Sequence, residues 1–442
     1  MPSQERTPTM STMPAMKEFR TETTPEGILH LIFDMPGRSM NVFSNAAIHE
    51  IDAFATWLKT STVRGVVIRS GKTSAFCAGA DLGELGEAYD MIVAARPAER
   101  KRIARDHFAP IGRAFRKLET AGKPVAAAID GLALGGGCEF AMGCHYRVLT
   151  DTPRTALGLP ESLVGLLPGG GGTQRMPRLV GLERSLPILL EGARLSPQEA
   201  LEAGAADEVV AAGGEVATAE RWVLGATVPA QPWDRPDWHA PDVQAVSEAL
   251  GQTRARILAE TGGHYPAPLA ILDCIEQGLP AAIDDALGSE IDIFADLIKR
   301  PEPRNMIRSL FIGRQDYDKR RKADALPGAL ASFVADVRAA VESADAGLGD
   351  MRPEALRFAG FTAEGSYPAD PAEIAGREVP WFEKPGSPME EAALKIVAAT
   401  AGVARAYGSA FAESERALAD FAAVTQAGFP SYLGGPFAVL EQ

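Results

Sequence analysis

Two carboxylates and a run of glycines are the residues of this chain that could do chemistry together. Glu139 follows the triple glycine Gly135-Gly136-Gly137, and Glu161 comes 22 residues later in the apolar setting Leu-Pro-Glu-Ser-Leu-Val. Before the glycines, the apolar run 124–129 reads as a buried strand broken at Asp130-Gly131; after them a helix starts, with Cys138, Phe140, Ala141 and Cys144 on one face. Such a strand–turn–helix leaves bare backbone N–H groups at a helix N-terminus, where the dipole favours negative charge. Glycines there let a ligand approach the backbone. One array of donors beside two carboxylates suits proton transfer next to a developing oxyanion. Blander readings stay open: a Glu in a first helical turn stabilises the dipole without catalysis, a Glu after Pro caps a helix, and clustered glycines make tight turns.

The surrounding pattern supplies the elements that would hold these groups. Residues 1–16 are rich in Ser, Thr, Pro and Met and read as a disordered lead. Residues 19–23 and 28–33 read as two strands joined by Thr-Pro-Glu-Gly. An amphipathic helix is predicted from about Asn45 to Lys59, with Ile48, Ile51, Phe54, Ala55 and Leu58 on one face. Strands are predicted at 65–69, 77–81 and 124–129, so strands and helices alternate and the fold class is α/β. Between Asp81 and Lys123 lies a polar helical insert containing ARPAERKRIARDH. Its interleaved acids and lack of a stacking set of aromatics favour a solvated helix face over a nucleic-acid patch. Ser196-Pro197 opens another helix. The Pro- and Trp-rich stretch 229–242 reads as a rigid connector, followed by several helices over 243–311.

Composition narrows the function. The chain has 442 residues, 46% hydrophobic and 23% charged, which places it among ordinary globular proteins of two or three domains. A net charge of −14 argues against nucleic acid or an anionic membrane as the main partner, though not against a small anionic ligand held by a local basic cluster. The four cysteines (Cys77, Cys138, Cys144 and Cys274) fit no zinc spacing and read as buried reduced thiols. No run is long and apolar enough for a membrane span and the N-terminus lacks an apolar signal core, so the expected location is the cytoplasm. PGGGGTQRM lacks the spacing and the lysine of a phosphate loop, and the six histidines form no catalytic or metal motif.

The run IDGLALGGGCEFAM, with GLPESLVGLLPGGGGTQRMPRLVG after it and SAFCAGADLGEL before it, resembles the crotonase superfamily of enoyl-CoA hydratases and isomerases. The version it looks most like is that of multifunctional fatty-acid oxidation enzymes. The resemblance covers about residues 17–310. A second one, over about 390–442, links ALADFAAVTQ and GFPSYLGGPFAVLEQ to the last helical half of a 3-hydroxyacyl-CoA dehydrogenase. The glycine fingerprint of a nucleotide-binding domain is not found between Gly181 and Gln442, so neither NAD nor dehydrogenation is expected, and no metal.

These resemblances imply a crotonase-type ββα spiral core (17–228) with an appended α-helical C-terminal region. That region comprises a helical linker (229–312), an irregular or helical connector (313–388) and a dehydrogenase-like helical end (389–442). They imply hydration of 2-enoyl-CoA, with Δ3–Δ2 isomerisation as a second activity. The oxyanion donors map to the backbone N–H groups of Ala80 and Gly136. Glu161 then exchanges the α proton and Glu139 holds the water. Ala78 is implied in backbone contacts to the adenine end and Arg38 in contacts to the CoA phosphates. Met40 and Leu157 are candidates for the acyl tunnel or for ordinary core. A homo-oligomer is implied, since family members are often trimers. Two rival readings stand: another crotonase lyase or isomerase acting on a non-fatty acyl-CoA, and a non-catalytic acyl-CoA-binding or assembly subunit.

Overall fold

In the computed structural model, residues 12–226, 229–344, 348–361 and 370–441 are described; the first eleven residues of the expected disordered lead lie outside them. The chain forms two compact units. One comprises Met1–Glu161, Leu167–Val243 and Cys274–Ala295, the other Ser162–Leu166, Gln244–Asp273 and Asp296–Gln442.

The first unit is built by a chain that moves back and forth between two sheets. Strands β1 (Phe19–Thr23) and β2 (Ile28–Phe33) pair antiparallel, as the Thr-Pro-Glu-Gly turn requires. Next come β3 (Gly65–Ser70), β4 (Ala75–Cys77), β5 (Val125–Ile129), β6 (Leu132–Leu134), β7 (Tyr146–Thr150), β8 (Ala156–Gly158), β9 (Arg194–Leu195) and β10 (Glu208–Val210). One sheet has the order β1-β2-β3-β5-β7-β10 and the other β4-β6-β8-β9. Each of the pairs β3/β4, β5/β6 and β7/β8 therefore puts one strand in each sheet, which is the expected ββα spiral. Strands β4, β6 and β8 run parallel, so their C-terminal ends lie side by side.

One strand ends earlier than the sequence suggests. The strand predicted at 77–81 stops at Cys77, because Gly79 takes φ +107° and turns the chain. Residues 78–81 instead form a bend with a single bridge between Phe43 and Ala80. The other early predictions hold: α1 (Asn45–Leu58) is capped by Ser44, whose side chain accepts from Ala47 N–H, and it buries Ile51, Phe54, Ala55 and Leu58. The Arg-rich insert is two helices, α2 (Leu82–Ala94) and α3 (Pro97–Glu119). The outer face of α3 carries the ion pairs Arg96–Glu99 and Arg102–Asp106, while Ala104, Ala114, Phe115 and Leu118 are buried. Then follow α4 (Gly136–Met142), α5 (Gly172–Val180), α6 (Leu182–Leu190), α7 (Pro197–Ala203) and α8 (Glu215–Gly225). Helix α7 starts with a capping box between Ser196 and Glu199. Helix α8 covers the large sheet, with Ala219 and Val223 packed among Ile28, Val67, Ala126, Ala128 and Val148. The stretch 229–242 includes a short 3₁₀ turn, Pro232–Asp234, with Trp233 buried. Helices α9 (Val243–Thr261), α10 (Pro266–Gly278) and α11 (Ile283–Ile298) come next, and most of α11 belongs to the first unit.

The second unit is helical. Helices Leu330–Ser343, Pro388–Ala406 and Arg416–Ala427 share one core that includes Phe333, Phe358, Trp381, Tyr432 and Phe437. Residues of 313–388 thus pack into the same core as the last helices. Buried Asp420 accepts from the N–H groups of Phe437 (2.7 Å) and Ala438 (3.1 Å) and from Arg308 (3.2 Å), which fastens the terminal helix Pro436–Glu441. All four cysteines are buried, and none is paired in a disulfide. Among the described residues, no helix is long and apolar enough to cross a membrane.

His264 makes this unit acid-sensitive. It is buried, its Nε2 faces the Phe358 carbonyl, and its Nδ1 accepts from Trp381 Nε1 at 3.3 Å. Burial lowers its pKa from 6.5 to about 4. Because the unfolded chain takes up the proton first, this contribution to stability is complete above pH 6.5 and is lost as pH falls towards 4. The loss amounts to about 3 kcal/mol. Urea unfolding of wild type and His264→Phe between pH 7.5 and 4.5 should show a shallower pH slope in the variant; equal slopes would remove His264 as the cause.

Candidate active site

The three segments flagged by their residue types all lie just beyond the ends of β4, β6 and β8. Ala78–Ala80 follows β4, Gly135-Gly136 follows β6, and Leu159-Pro160-Glu161 follows β8. The parallel alignment of the small sheet therefore assembles them. Gly135 N–H donates to the Gly158 carbonyl (2.9 Å) and Phe43 N–H to the Gly79 carbonyl (2.8 Å), which ties the segments together. Gly79 and Gly135 both adopt positive φ, +107° and +55°. A Cβ at Gly79 would lie 3.9 Å from the Gly136 nitrogen, so the Gly79–Ala80 and Gly135–Gly136 peptides pass close by each other. Among the described residues, neither the Ala80 nor the Gly136 N–H has a protein acceptor. Ala80 is exposed, and Gly136 is the first residue of α4, where helix geometry leaves the N–H without an internal partner. Asp81 fixes the Ala80 end: its carboxylate accepts from Gly83 and Glu84 N–H and so caps α2.

Glu139 sits in the first turn of α4 and is 2% exposed. Its Oε1 accepts from Gly170 N–H and Gly172 N–H, both at 2.7 Å. Burial pushes its pKa up to about 7, and those two N–H groups together with Arg175 restrain the rise. Glu161 opens the short 3₁₀ turn Glu161–Val164. Its Oε2 is buried with no protein partner, and burial, reinforced by the charge of Glu139, raises its pKa well above the ordinary carboxylate range. Room for it comes from Gly135, where a Cβ would stand 2.7 Å from Glu161 Oε1. A carboxyl with a pKa of about 7, such as Glu139, can give or take a proton at neutral pH, and Glu161 holds its proton more tightly than an ordinary carboxyl does.

The residues assigned to ligand binding are placed less uniformly. Ala78 N–H is committed to the Asn41 carbonyl at 2.9 Å, so only its carbonyl is left for a ligand. Asn41 itself is pinned by hydrogen bonds to the Phe33 and Phe76 carbonyls. Arg38 is half-exposed and bonds Asp81 Oδ2 at 2.5 Å, next to Ala80. Leu157 is fully buried in β8 and is core, whereas Met40 is 41% exposed.

The sequence reading missed the function of the four-glycine loop and what lies behind it. A Cβ at Gly170 or Gly172 would stand 2.8 or 2.9 Å from a Glu139 oxygen, so the carboxylate itself demands glycine there. Arg175 is fully buried; it donates to the Gly170 carbonyl (3.0 Å) and pairs with Glu119 (3.1 Å). Glu290 on α11 is a further buried carboxylate at the loop. Its signal in the sequence was weak: one acid in an amphipathic helix more than a hundred residues from the glycines.

Residues 23–227 match the family model described as enoyl-CoA hydratase/isomerase. The fatty acid oxidation complex subunit alpha of Shewanella amazonensis is 34% identical over 331 residues, covering 72% of this chain and 44% of that protein. The same subunit of Shewanella loihica is 37% identical over 322 residues, covering 71% of this chain and 44% of that protein. The chain thus spans less than half the length of these curated relatives. The crystal structure of an enoyl-CoA hydratase from Rhodobacter sphaeroides shares the fold, with a TM-score of 0.51 at 22% identity over 67% of this chain and 90% of that one. Residues 23–227, a little under half of this chain, thus carry a domain that matches the enoyl-CoA hydratase/isomerase family.

Proposed function

We propose that the chain is an enoyl-CoA hydratase that adds water across the double bond of 2-enoyl-CoA in the oxidation of fatty acids or related acyl groups. The observation that carries this reading is the convergence of two unpaired N–H groups with two carboxyls of raised pKa, at the ends of three neighbouring strands. The thioester oxygen would accept from Ala80 and Gly136 N–H as the enolate charge builds. Preorganised donors of this kind are each worth about 3–4 kcal/mol. Glu139, anchored by Gly170 and Gly172, holds and deprotonates the water that attacks the β carbon. Glu161, with one oxygen free of protein partners, delivers the proton to the α carbon. The same free oxygen supports a Δ3-to-Δ2 shift as a second activity, since that reaction needs one mobile proton and no water. The half-exposed guanidinium of Arg38 and the Ala78 carbonyl are the groups proposed for the CoA moiety. Four buried cysteines outside any disulfide favour a reducing cytoplasm.

The test is the loss of conjugated-thioester absorbance with crotonyl-CoA and a longer 2-enoyl-CoA. Turnover is expected on at least one of them. A folded chain that binds acyl-CoA but turns over neither would overturn the hydratase reading in favour of an acyl-CoA-binding or assembly subunit.

A further inference from the structure

The loop Pro168-Gly169-Gly170-Gly171-Gly172-Thr173 presents four successive N–H groups alternately to two carboxylates. Gly170 and Gly172 donate to Glu139, as described. Gly171 donates to Glu290 Oε1 at 2.7 Å and Thr173 to Glu290 Oε2 at 3.1 Å, while the Thr173 hydroxyl also donates to Oε2 at 2.5 Å. Glu290 therefore holds one side of the loop and Glu139 is held by the other. The helix that carries Glu290 presses on the same loop. A Cβ at Gly171 would come within 2.8 Å of Leu287, and one at Gly169 within 3.0 Å of Phe294. Helix α11 is in turn fixed to α3 by the Phe108–Phe294 edge contact (4.9 Å) and the Arg105–Asp292 ion pair (2.7 Å).

We propose that Glu290 is a positioning residue for Glu139: it locks the Gly171 and Thr173 peptides and so aims the Gly170 and Gly172 N–H groups at the catalytic carboxylate. The physical argument is one of backbone freedom. Four glycines are the least constrained backbone in the chain. Without Glu290, two buried N–H groups lose their acceptor, each at about 1–3 kcal/mol, and the loop relaxes to satisfy them. Relaxation turns the alternate N–H groups off Glu139. The charged groups around Glu290 are Glu139 and Arg175 at the loop, Arg178 one turn along α5, and the more distant Glu161. Glu290 lies outside residues 23–227, so the family's catalytic domain is completed here by a helix that its model does not cover.

The kinetic part of the test rests on the hydratase reading; the spectroscopic part does not. Glu290→Asp keeps the charge but shortens the arm by one methylene, so it cannot reach both N–H groups. Glu290→Gln keeps an acceptor for Gly171 and removes the charge. Infrared difference spectra across a pH titration, with the Glu139 carboxyl band assigned by its loss in Glu139→Gln, report Glu139 without any substrate. In Glu290→Asp the Glu139 band should titrate at higher pH than in wild type, because the N–H groups that favour its ionised form have turned away. With crotonyl-CoA, kcat should fall about tenfold or more in Glu290→Asp and less in Glu290→Gln, with KM within about threefold in both. A Glu290→Asp protein with the wild-type Glu139 titration overturns the proposal, whether or not crotonyl-CoA is turned over. Absence of wild-type turnover alone bears only on the hydratase reading.

Discussion

Glu139→Gln should lower hydration of crotonyl-CoA by about 10³-fold and make the protein more stable above pH 7. The two effects share one cause. Both N–H groups that hold Glu139 donate to Oε1, which glutamine keeps, so the substitution removes the charge and the proton chemistry without orphaning Gly170 or Gly172. Burial raises the Glu139 pKa from 4.5 to about 7. The folded chain therefore holds an extra proton between those values, and stability falls as pH rises through the window. The full penalty, on the order of 3 kcal/mol, applies above pH 7 and vanishes below pH 4.5. The variant should escape it. Thermal unfolding of both proteins at pH 5 and pH 8.5, beside the kinetics, checks the sign: an equal Tm difference at both pH values would refute the ionisation argument, and unchanged turnover would remove Glu139 from the chemistry.

Gly135→Ala should cost both activity and fold. Gly135 adopts φ +55° and ψ −128°, a conformation that residues with a Cβ avoid. The added carbon would stand 2.7 Å from Glu161 Oε1 and 3.5 Å from the Gly79 Cα. Backbone strain and overpacking together predict a destabilisation of about 2–4 kcal/mol. Displacement of Glu161, and of the peptide that carries the Gly136 N–H, predicts a loss of at least about 10²-fold in kcat/KM. Gly402→Ala is the matched control. It lies inside the helix Pro388–Ala406 with nothing within 4 Å of the added carbon, and should be neutral or slightly stabilising. Denaturation midpoints and steady-state kinetics on the two variants decide the matter; a fully active Gly135→Ala would mean that the close approach is not required.

Much of the site was legible because its parts are encoded locally. The bounds of β1 and β2 and the start of α1 followed from the Thr-Pro-Glu-Gly turn and from the apolar face of the helix, since a few adjacent side chains decide them. The strand predicted through residue 81 failed for a local reason that hydrophobic pattern does not register, the positive φ of Gly79. The glycine quartet was visible as part of the family signature and was rejected as a phosphate loop, but its N–H groups were given no role. Its N–H groups serve two carboxylates instead, one of them 119 residues away from Gly171. No spacing rule reaches that far, because contacts at such separation depend on how α11 packs rather than on any repeat. Arg38 shows the same limit: the residue was picked out from its position, but its bond to Asp81 arises only when the 38 and 81 segments meet.

Residue types within short windows dictated the strand–glycine–helix turn that leaves the Gly136 N–H free, the placement of Glu139 in the first turn of the helix, and the apolar setting of Glu161. Those features depend on backbone geometry within a dozen residues, which side-chain type controls directly. The tertiary structure decided that β4, β6 and β8 bring Ala80, Gly136 and Glu161 to one edge. It also decided that Glu119 and Arg175 pair in the interior and that Glu290 closes the loop. The proton affinity of the carboxyls belongs to the same class. It is set by exclusion of water and by neighbouring charge, and both exist only once distant segments have packed.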